Sequence, residues 1–361
     1  MEITNQFVTY QEVLDGSIIQ NDPFQLTKTS DEKLRTFLAN PNLTDYSQKM
    51  YLIKRVDGVV GGFRISYPTK FKAGDEILNS VGGCSLTVKE EFRHLGIGAD
   101  ILLYSVMNKE DKYLLYAGIS AMALPMYKRL KFNIFKYPSV WQPRNTRFLF
   151  QTKGIKGATL DVFAFLGNCL LKPFVSFINY RSNSLKRGYR IEQLQEAPEW
   201  ITSMTINDGH KYTEVHDKAW FDWVLSNIFH AYPENITRLY AIYENDDPVG
   251  FFMTKERLNH FEEKNIDRLV FGSIVEWGSV NEALLSEERI VKMALSTFTK
   301  EVDIVTYAST NEKVIKRLKW FGFVRHGCAN VVFKDKTNSH LDVGDITQWR
   351  IRSSFSDVVF F

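Results

Sequence analysis

The sequence predicts an α/β fold of the α+β type, built as two tandem copies of one domain, each a mixed, mainly antiparallel sheet flanked by helices. Three observations predict it. At 361 residues the chain exceeds one ordinary core and suggests two domains. Lys49–Val56 and Val59–Ser66 read as strands joined by Asp57-Gly58, a strong hairpin signal, and a third apolar strand ends at Val88, so a meander leads into a strand-to-helix turn. The same order of signals then returns at an offset of about 190 residues.

Taken in order, Met1–Tyr10 lacks a basic region followed by an apolar run, so no signal peptide is expected. Cys84, Cys169 and Cys328 lie far apart without a Cys-x-x-Cys pair. That spacing supports neither a disulfide framework nor zinc, the three read as buried small apolar residues, and a cytoplasmic location is expected. Phe7–Leu14 reads as a first strand and Glu32–Leu38, after Asp22-Pro23, as a helix. Hydrophobic residues at 44% and charged residues at 24% are ordinary for a folded chain, and a net charge of +3 is too small for a nucleic-acid surface.

The stretch Val81–Met107 carries the chemistry. Val81-Gly82-Gly83-Cys84-Ser85-Leu86-Thr87-Val88 is a buried strand by composition, Lys89, Glu90 and Glu91 break it, and Arg93-His94-Leu95-Gly96-Ile97-Gly98-Ala99 opens a helix. Leu95, Ala99, Leu102, Leu103 and Val106 recur there at helical spacing. Unpaired N–H groups and the positive end of the dipole make a helix start a place for an anion, and glycine lets it approach the backbone. Tyr113–Ser120 follows as a strand, Ala121–Leu130 as a short helix with Pro125 and Tyr127, then a strand near Phe132–Tyr137, followed by Arg147–Thr152.

Arg-x-x-Gly-x-Gly-Ala after a strand, followed by these elements, resembles the acetyl-CoA pyrophosphate loop of the GNAT superfamily of N-acyltransferases. The likeness runs from about Leu52 to Phe150 and is specific at Arg93, Gly96, Gly98 and Tyr127, while Leu130-Lys131-Phe132 replaces the common leucine, glycine, phenylalanine ending. The resemblance implies an acyl-CoA co-substrate, acetyl-CoA first, held by Leu86, Val88, Arg93, His94, Leu95, Gly96, Ile97, Gly98, Ala99 and Ser120. It implies direct transfer to a primary amine, with Tyr127 protonating the departing thiolate and no metal. His94 by itself reads as a solvent-facing loop residue. No acid lies within Gly82–Val88, so the proton of the amine leaves through water or through a carboxylate of the second copy, for which Glu276 is the candidate.

Residues 153–188 divide the copies, 1–152 and 189–361. Gly157–Tyr180 is apolar over nearly the about 20 residues of a membrane span, but Asp161, Asn168, Lys172 and Pro173 interrupt it, and it reads as a buried or interfacial linker helix. With the basic cluster Arg181–Arg190 after it, membrane contact is expected to be at most peripheral. In the second copy Val249-Gly250 falls on Val60-Gly61, Tyr307–Asn311 on Tyr116–Ser120, and Arg317–Phe323 on Met126–Phe132. Val280–Glu288 there has no glycine and three acids, and Leu318 stands where the first copy has Tyr127, so acyl-CoA is expected in the first copy only.

The histidines show no metal spacing, and no phosphate-binding loop of the Gly-x-x-x-x-Gly-Lys type is present. Trp220, Phe221, Trp223 and Tyr232 read first as core, though an aromatic-lined cleft between the copies would suit a carbohydrate amine. The expected acceptor is a small-molecule amine, an amino sugar first, entering between the copies near Trp220–Trp223, and removal of residues 190–361 is expected to leave CoA binding intact but eliminate transfer. Two other classes remain open on sequence: a non-catalytic binding or assembly module, and a Fem-type aminoacyl transferase, which shares the doubled architecture but uses aminoacyl-tRNA.

Overall fold

The chain begins with a strand that a capping box stops. β1 (Ile3–Thr9) ends where the Thr9 hydroxyl accepts from the Glu12 N–H and the Glu12 carboxylate accepts from the Thr9 N–H, which starts α1 (Tyr10–Leu14). The strand expected over Phe7–Leu14 is therefore two elements. A computed structural model describes residues 1–15, 31–226, 235–261, 266–337 and 341–355; Asp22-Pro23 and Tyr232 lie outside them.

The first copy continues with α2 (Asp31–Leu38), β2 (Lys49–Val56), β3 (Val59–Ala73), β4 (Glu76–Val88), α3 (Ile97–Met107), β5 (Tyr113–Ala117), α4 (Leu124–Arg129), β6 (Asn133–Pro143) and α5 (Arg147–Gln151). A long helix, α6 (Gly157–Leu185), follows. The second copy comprises β7 (Arg190–Leu194), α7 (Trp200–Ile206), β8 (Tyr212–Glu214), α8 (Lys218–Leu225), β9 (Ile236–Glu244), β10 (Asp247–Phe261), β11 (Ile266–Ser279), α9 (Glu287–Ala294), β12 (Ile304–Ala308), α10 (Glu312–Leu318) and β13 (Val324–Asp335), with β14 (Trp349–Arg350) after it. From β2 to β6 and from β9 to β13 the order of strands and helices is the same. Each hairpin turns on two residues with positive φ, Asp57-Gly58 in one and Asn245-Asp246 in the other.

The strands form one mixed sheet in the order β1-β2-β3-β4-β5-β13-β6-β12-β11-β10-β9-β7, with β8 joining the far end of β3 and β14 joining β8. Only β4–β5, β11–β12 and β8–β14 pair in parallel among the described residues. The copies exchange their last strands: β13 inserts between β5 and β6, and β6 inserts between β13 and β12. The division at 153–188 is thus a division of the chain and not of the sheet. Without residues 190–361, β5 would keep just two residue pairs, Val81↔Leu114 and Gly82↔Leu115, to β4. The expectation that CoA binding survives removal of residues 190–361 meets this loss of the β13 neighbour of β5.

Helices dock where glycine lets them come close. A Cβ on Gly61 would lie 2.8 Å from Ile97 Cδ1, and one on Gly250 would lie 2.7 Å from Leu285 Cδ2, so in both copies the residues at the helix entry rest on the β-hairpin backbone. The buried stripe of α3 is Ile97, Ile101 and Leu102, which pack on Leu52, Val56 and Leu114. Ala99 and Leu103, expected on that stripe, face outward. The helix is apolar nearly all round, so periodicity alone assigns its phase poorly. Cys84 is buried as expected, whereas Cys169 and Cys328 are exposed.

The aromatic segment of α8 is core. Trp220, Phe221 and Trp223 pack with Leu239, Phe251 and Val275, and the Trp223 indole N–H donates to the Thr36 carbonyl at 2.9 Å. Burying each such ring is worth about 1.5–3 kcal/mol, so these residues hold α8 on the sheet and are unavailable as a platform for an acceptor.

Candidate functional site

β4 and β5 part after their two paired residues. On the other side of β4 the ladder with β3 passes from Ile65↔Cys84 to Phe63↔Thr87, so Ser85 and Leu86 oppose Arg64 alone. Ser85 adopts a φ of 54°, the bulge that lets the strand swing away. The parting opens a cleft of about 370 Å³. Gly83–Leu86 form one wall, Tyr116–Ser120 the other, and Arg64, Tyr127 and Arg257 complete the lining. The β4–β5 pairing comprises Val81↔Leu114 and Gly82↔Leu115, and β4 runs on past it to Val88 along the cleft.

At the end of β4 the chain makes a 3-10 turn, Glu90–Leu95, and enters α3 through Gly96 with a φ of 72°. That conformation favours glycine, and no atom stands within 4 Å of where a Cβ would be. A Cβ on Gly98 would touch Val88 at 3.4 Å and Met126 at 4.0 Å, so the first turn of α3, the end of β4 and the helix bearing Tyr127 meet. Arg93, His94, Gly96 and Ala99 are exposed, Leu95 is half-buried, and Ile97 is buried under the turn. Arg93 makes a long 3.8 Å ion pair with Glu90 at the surface. Such a pair is weak and leaves the guanidinium able to turn toward an anion.

Tyr127 is 4% exposed, edge-on to Phe132 with ring centroids 5.1 Å apart and near Tyr116 at 5.9 Å. Burial, then the neighbouring Tyr116, pushes its phenol well above the ordinary range, against a smaller opposing effect of Arg64. The shift keeps the phenol neutral at physiological pH. Ser120 is exposed on the opposite wall, where its hydroxyl accepts from the Ala123 N–H at 3.3 Å and fixes the entry to α4.

The second copy builds part of this site. β13 pairs with β5 from Val331↔Ala117 to Asp335↔Tyr113, and the Asn330 amide donates to the Ile119 carbonyl at 3.2 Å, which holds the outer wall. Arg257 on β10 reaches the cleft from across the sheet. Arg64 packs over the Tyr116 ring at 4.6 Å and donates to Ser66 at 3.0 Å. Arg64, Arg257 and the Ser85 bulge escaped the sequence reading. The pair Gly82-Gly83 was the local sign of a distorted strand; nothing in the sequence marks Arg257.

Glu276 is corrected. It is fully buried outside the cleft, with its carboxylate on the Arg350 guanidinium at 2.5 Å, on the His216 ring at 2.7 Å and on the Ser354 hydroxyl. Burial would raise its pKa, but Arg350, His216 and Arg352 together hold it down to about 2. A carboxylate that acidic, with its oxygens committed, does not take a proton from an amine. Its work is to tie the C-terminal segment to β11.

The sequence matches no family model and no curated protein. In three dimensions the chain is similar to a GCN5-related N-acetyltransferase from Anabaena variabilis, with a TM-score of 0.56 at 9% identity over 93% of this chain and 73% of that one. This chain has the GNAT fold. The Saccharomyces cerevisiae N-myristoyltransferase, solved with bound myristoyl-CoA and inhibitors, has the same fold and also aligns across both copies, with a TM-score of 0.56 at 12% identity over 92% of this chain and 80% of that one. Within the GNAT fold of this chain, the parted β4 and β5 and the glycine-led start of α3 lie in the first copy.

Proposed function

We propose that the chain is an acyl-CoA-dependent N-acyltransferase whose single active site is the cleft between β4 and β5. One observation carries this reading: Ser85 at the bulge and Tyr127 line one cleft, and the glycine-led start of α3 meets the end of β4 and the Tyr127 helix through Gly98. The pyrophosphate is held by the N–H groups of the first turn of α3 with Arg93, and the pantetheine arm lies along Leu86 and Val88. Backbone amides of β4, where it parts from β5, donate to the thioester oxygen as it gains charge. The amine nitrogen bonds to the carbonyl carbon, the C–S bond breaks, and the thiolate takes the Tyr127 proton. No carboxylate lines the cleft among the described residues, so the amine loses its proton to water. Arg64 and Arg257 favour that loss, because nearby cations disfavour the ammonium form.

The volume of the cleft supports a short acyl group, acetyl first, and the two guanidiniums support a small amine that also carries an anionic or strongly polar group, such as an amino sugar. The test is calorimetry with acetyl-CoA and myristoyl-CoA, followed by thiol release against a panel of amines. Tight acetyl-CoA binding with amine-dependent thiol release is the expected result. Binding without release from any amine would favour a non-catalytic binding module, and absence of binding would end the reading.

A further inference from the structure

The helix α6 is turned inside out for a surface helix. Its inward stripe is anchored by polar groups: Asn168 accepts from the Thr146 N–H at 2.8 Å and donates to Asn145 at 3.0 Å, and the Ser182 hydroxyl donates to the Lys292 carbonyl at 2.6 Å. Leu160, Ala164 and Ile178 share that stripe. The outward face is hydrocarbon. Leu170 is 83% exposed, Phe165 68% and Val162 57%, where an amphipathic helix of a protein facing only water carries charge. The patch extends beyond the helix, since Phe174 packs on Gly322, whose turn presents Trp320 at 81% exposure. Scattered exposed apolar residues are ordinary, but a contiguous face of this length marks an interaction surface.

The charge around the patch has one sign. Between Lys153 and Arg190 there are seven Lys or Arg residues and one acid, Asp161, which is held by Arg147 at 2.6 Å. Lys316, Arg317 and Lys319 add to the basic rim beside Trp320. The anchored stripe runs from Leu160 to Ser182 along the protein body, so the helix lies flat on the molecule. An apolar face with flanking aromatics and a basic rim has the composition of a helix that lies in the membrane interface.

We propose that α6, with Trp320, docks this protein in the plane of an anionic lipid bilayer, burying Phe165, Leu170 and Trp320 among the acyl chains while Lys172 and Lys319 meet the headgroups. The experiment is flotation of the full chain with vesicles of phosphatidylcholine alone and of phosphatidylcholine with phosphatidylserine. The chain is expected to float with the anionic vesicles, and Phe165→Glu with Leu170→Glu is expected to weaken partitioning by at least about tenfold. Lys172→Glu and Lys319→Glu are expected to cost roughly fivefold each, with the loss confined to anionic vesicles and mimicked by added salt. These four side chains are exposed, and unchanged thermal unfolding verifies that the variants fold. The proposal is overturned if the chain floats with no vesicle, if the Glu variants float like the parent, or if sedimentation shows a dimer that Leu170→Glu dissociates without any vesicle binding, which would make a second copy the cover.

Discussion

The helix entry of the first copy and that of the second are built on the same hairpin and open into opposite chemistry. In the first, Gly96 is exposed, its surroundings are open, and the acids of the turn, Glu90 and Glu91, point into solvent. In the second, Ser286 caps the helix and Glu287 turns inward, 7% exposed, accepting hydrogen bonds from the Tyr307 and Ser309 hydroxyls. Glu288 beside it pairs with Lys292 and with Arg317 at 2.9 Å. The positive end of α9 is thus neutralised from within the chain, whereas that of α3 has room for an anion from outside. The second cleft is filled as well. Arg350 donates to the Trp277 carbonyl at 2.7 Å and Arg352 lies 4.1 Å over the Trp277 ring, so the C-terminal segment sits where the first copy leaves space. The first copy keeps a cleft, and the second braces it through β13 and lines it with Arg257.

The contrast can be broken at several points. The largest effect is expected at Glu276→Ala, which leaves Arg350 and His216 buried without their shared partner; chemical denaturation should show a loss of about 3–5 kcal/mol. The same residue sets an acid limb. Glu276, ordinarily near 4.5, and Asp208, ordinarily near 3.8, are each held at about 2 in the fold. For Asp208 burial acts upward, but the His210 hydrogen bond and Arg350 outweigh it. Their stabilisation is complete above those ordinary values and is lost as pH falls through about 2, a limb that Glu276→Ala should flatten. His216 acts in the opposite sense: burial lowers it, but the hydrogen bonds it donates to Glu214 and Glu276 leave it raised, so its contribution is full below 6.5 and is lost as pH rises through the folded value. In the working copy, Tyr127→Phe should lower kcat by roughly 100-fold with KM little changed, measured as thiol release. Glu287→Gln should cost about 1–3 kcal/mol of stability through the buried Tyr307 and Ser309 hydroxyls, with no change in acyl-CoA affinity. Arg257→Gln, the smallest, should raise KM for the amine by about tenfold while acyl-CoA affinity holds.

Strand and helix order was legible where the signals are local. Asp57-Gly58, the run to Val88 and the glycine-led start of α3 each carry their own chemistry, and the recurrence gave the second copy. What the sequence hid is set by contacts between distant residues. The exchange of β6 and β13 leaves no local mark, because Val324–Asp335 would pair as an edge strand with either copy. Glu276 looked available because a strand residue between apolar neighbours gives no sign of Arg350, 74 positions away, on its carboxylate. Trp220–Trp223 were expected beside the acceptor for the same reason, and their reading as core is borne out. The α6 segment was read correctly as a helix, but its orientation depended on Asn168 and Ser182, polar residues that face inward because Thr146 and the Lys292 carbonyl await them.

Binding of acyl-CoA by the first copy and not by the second is decided by calorimetry on Gly96→Glu beside the parent chain and Glu287→Gln. One acetyl-CoA per chain is expected for the parent and for Glu287→Gln, and a loss of at least about 100-fold in affinity for Gly96→Glu, since the new side chain strains a positive-φ position and sets a carboxylate against the pyrophosphate. Two molecules bound per chain, or undiminished binding by Gly96→Glu, would contradict binding by the first copy alone.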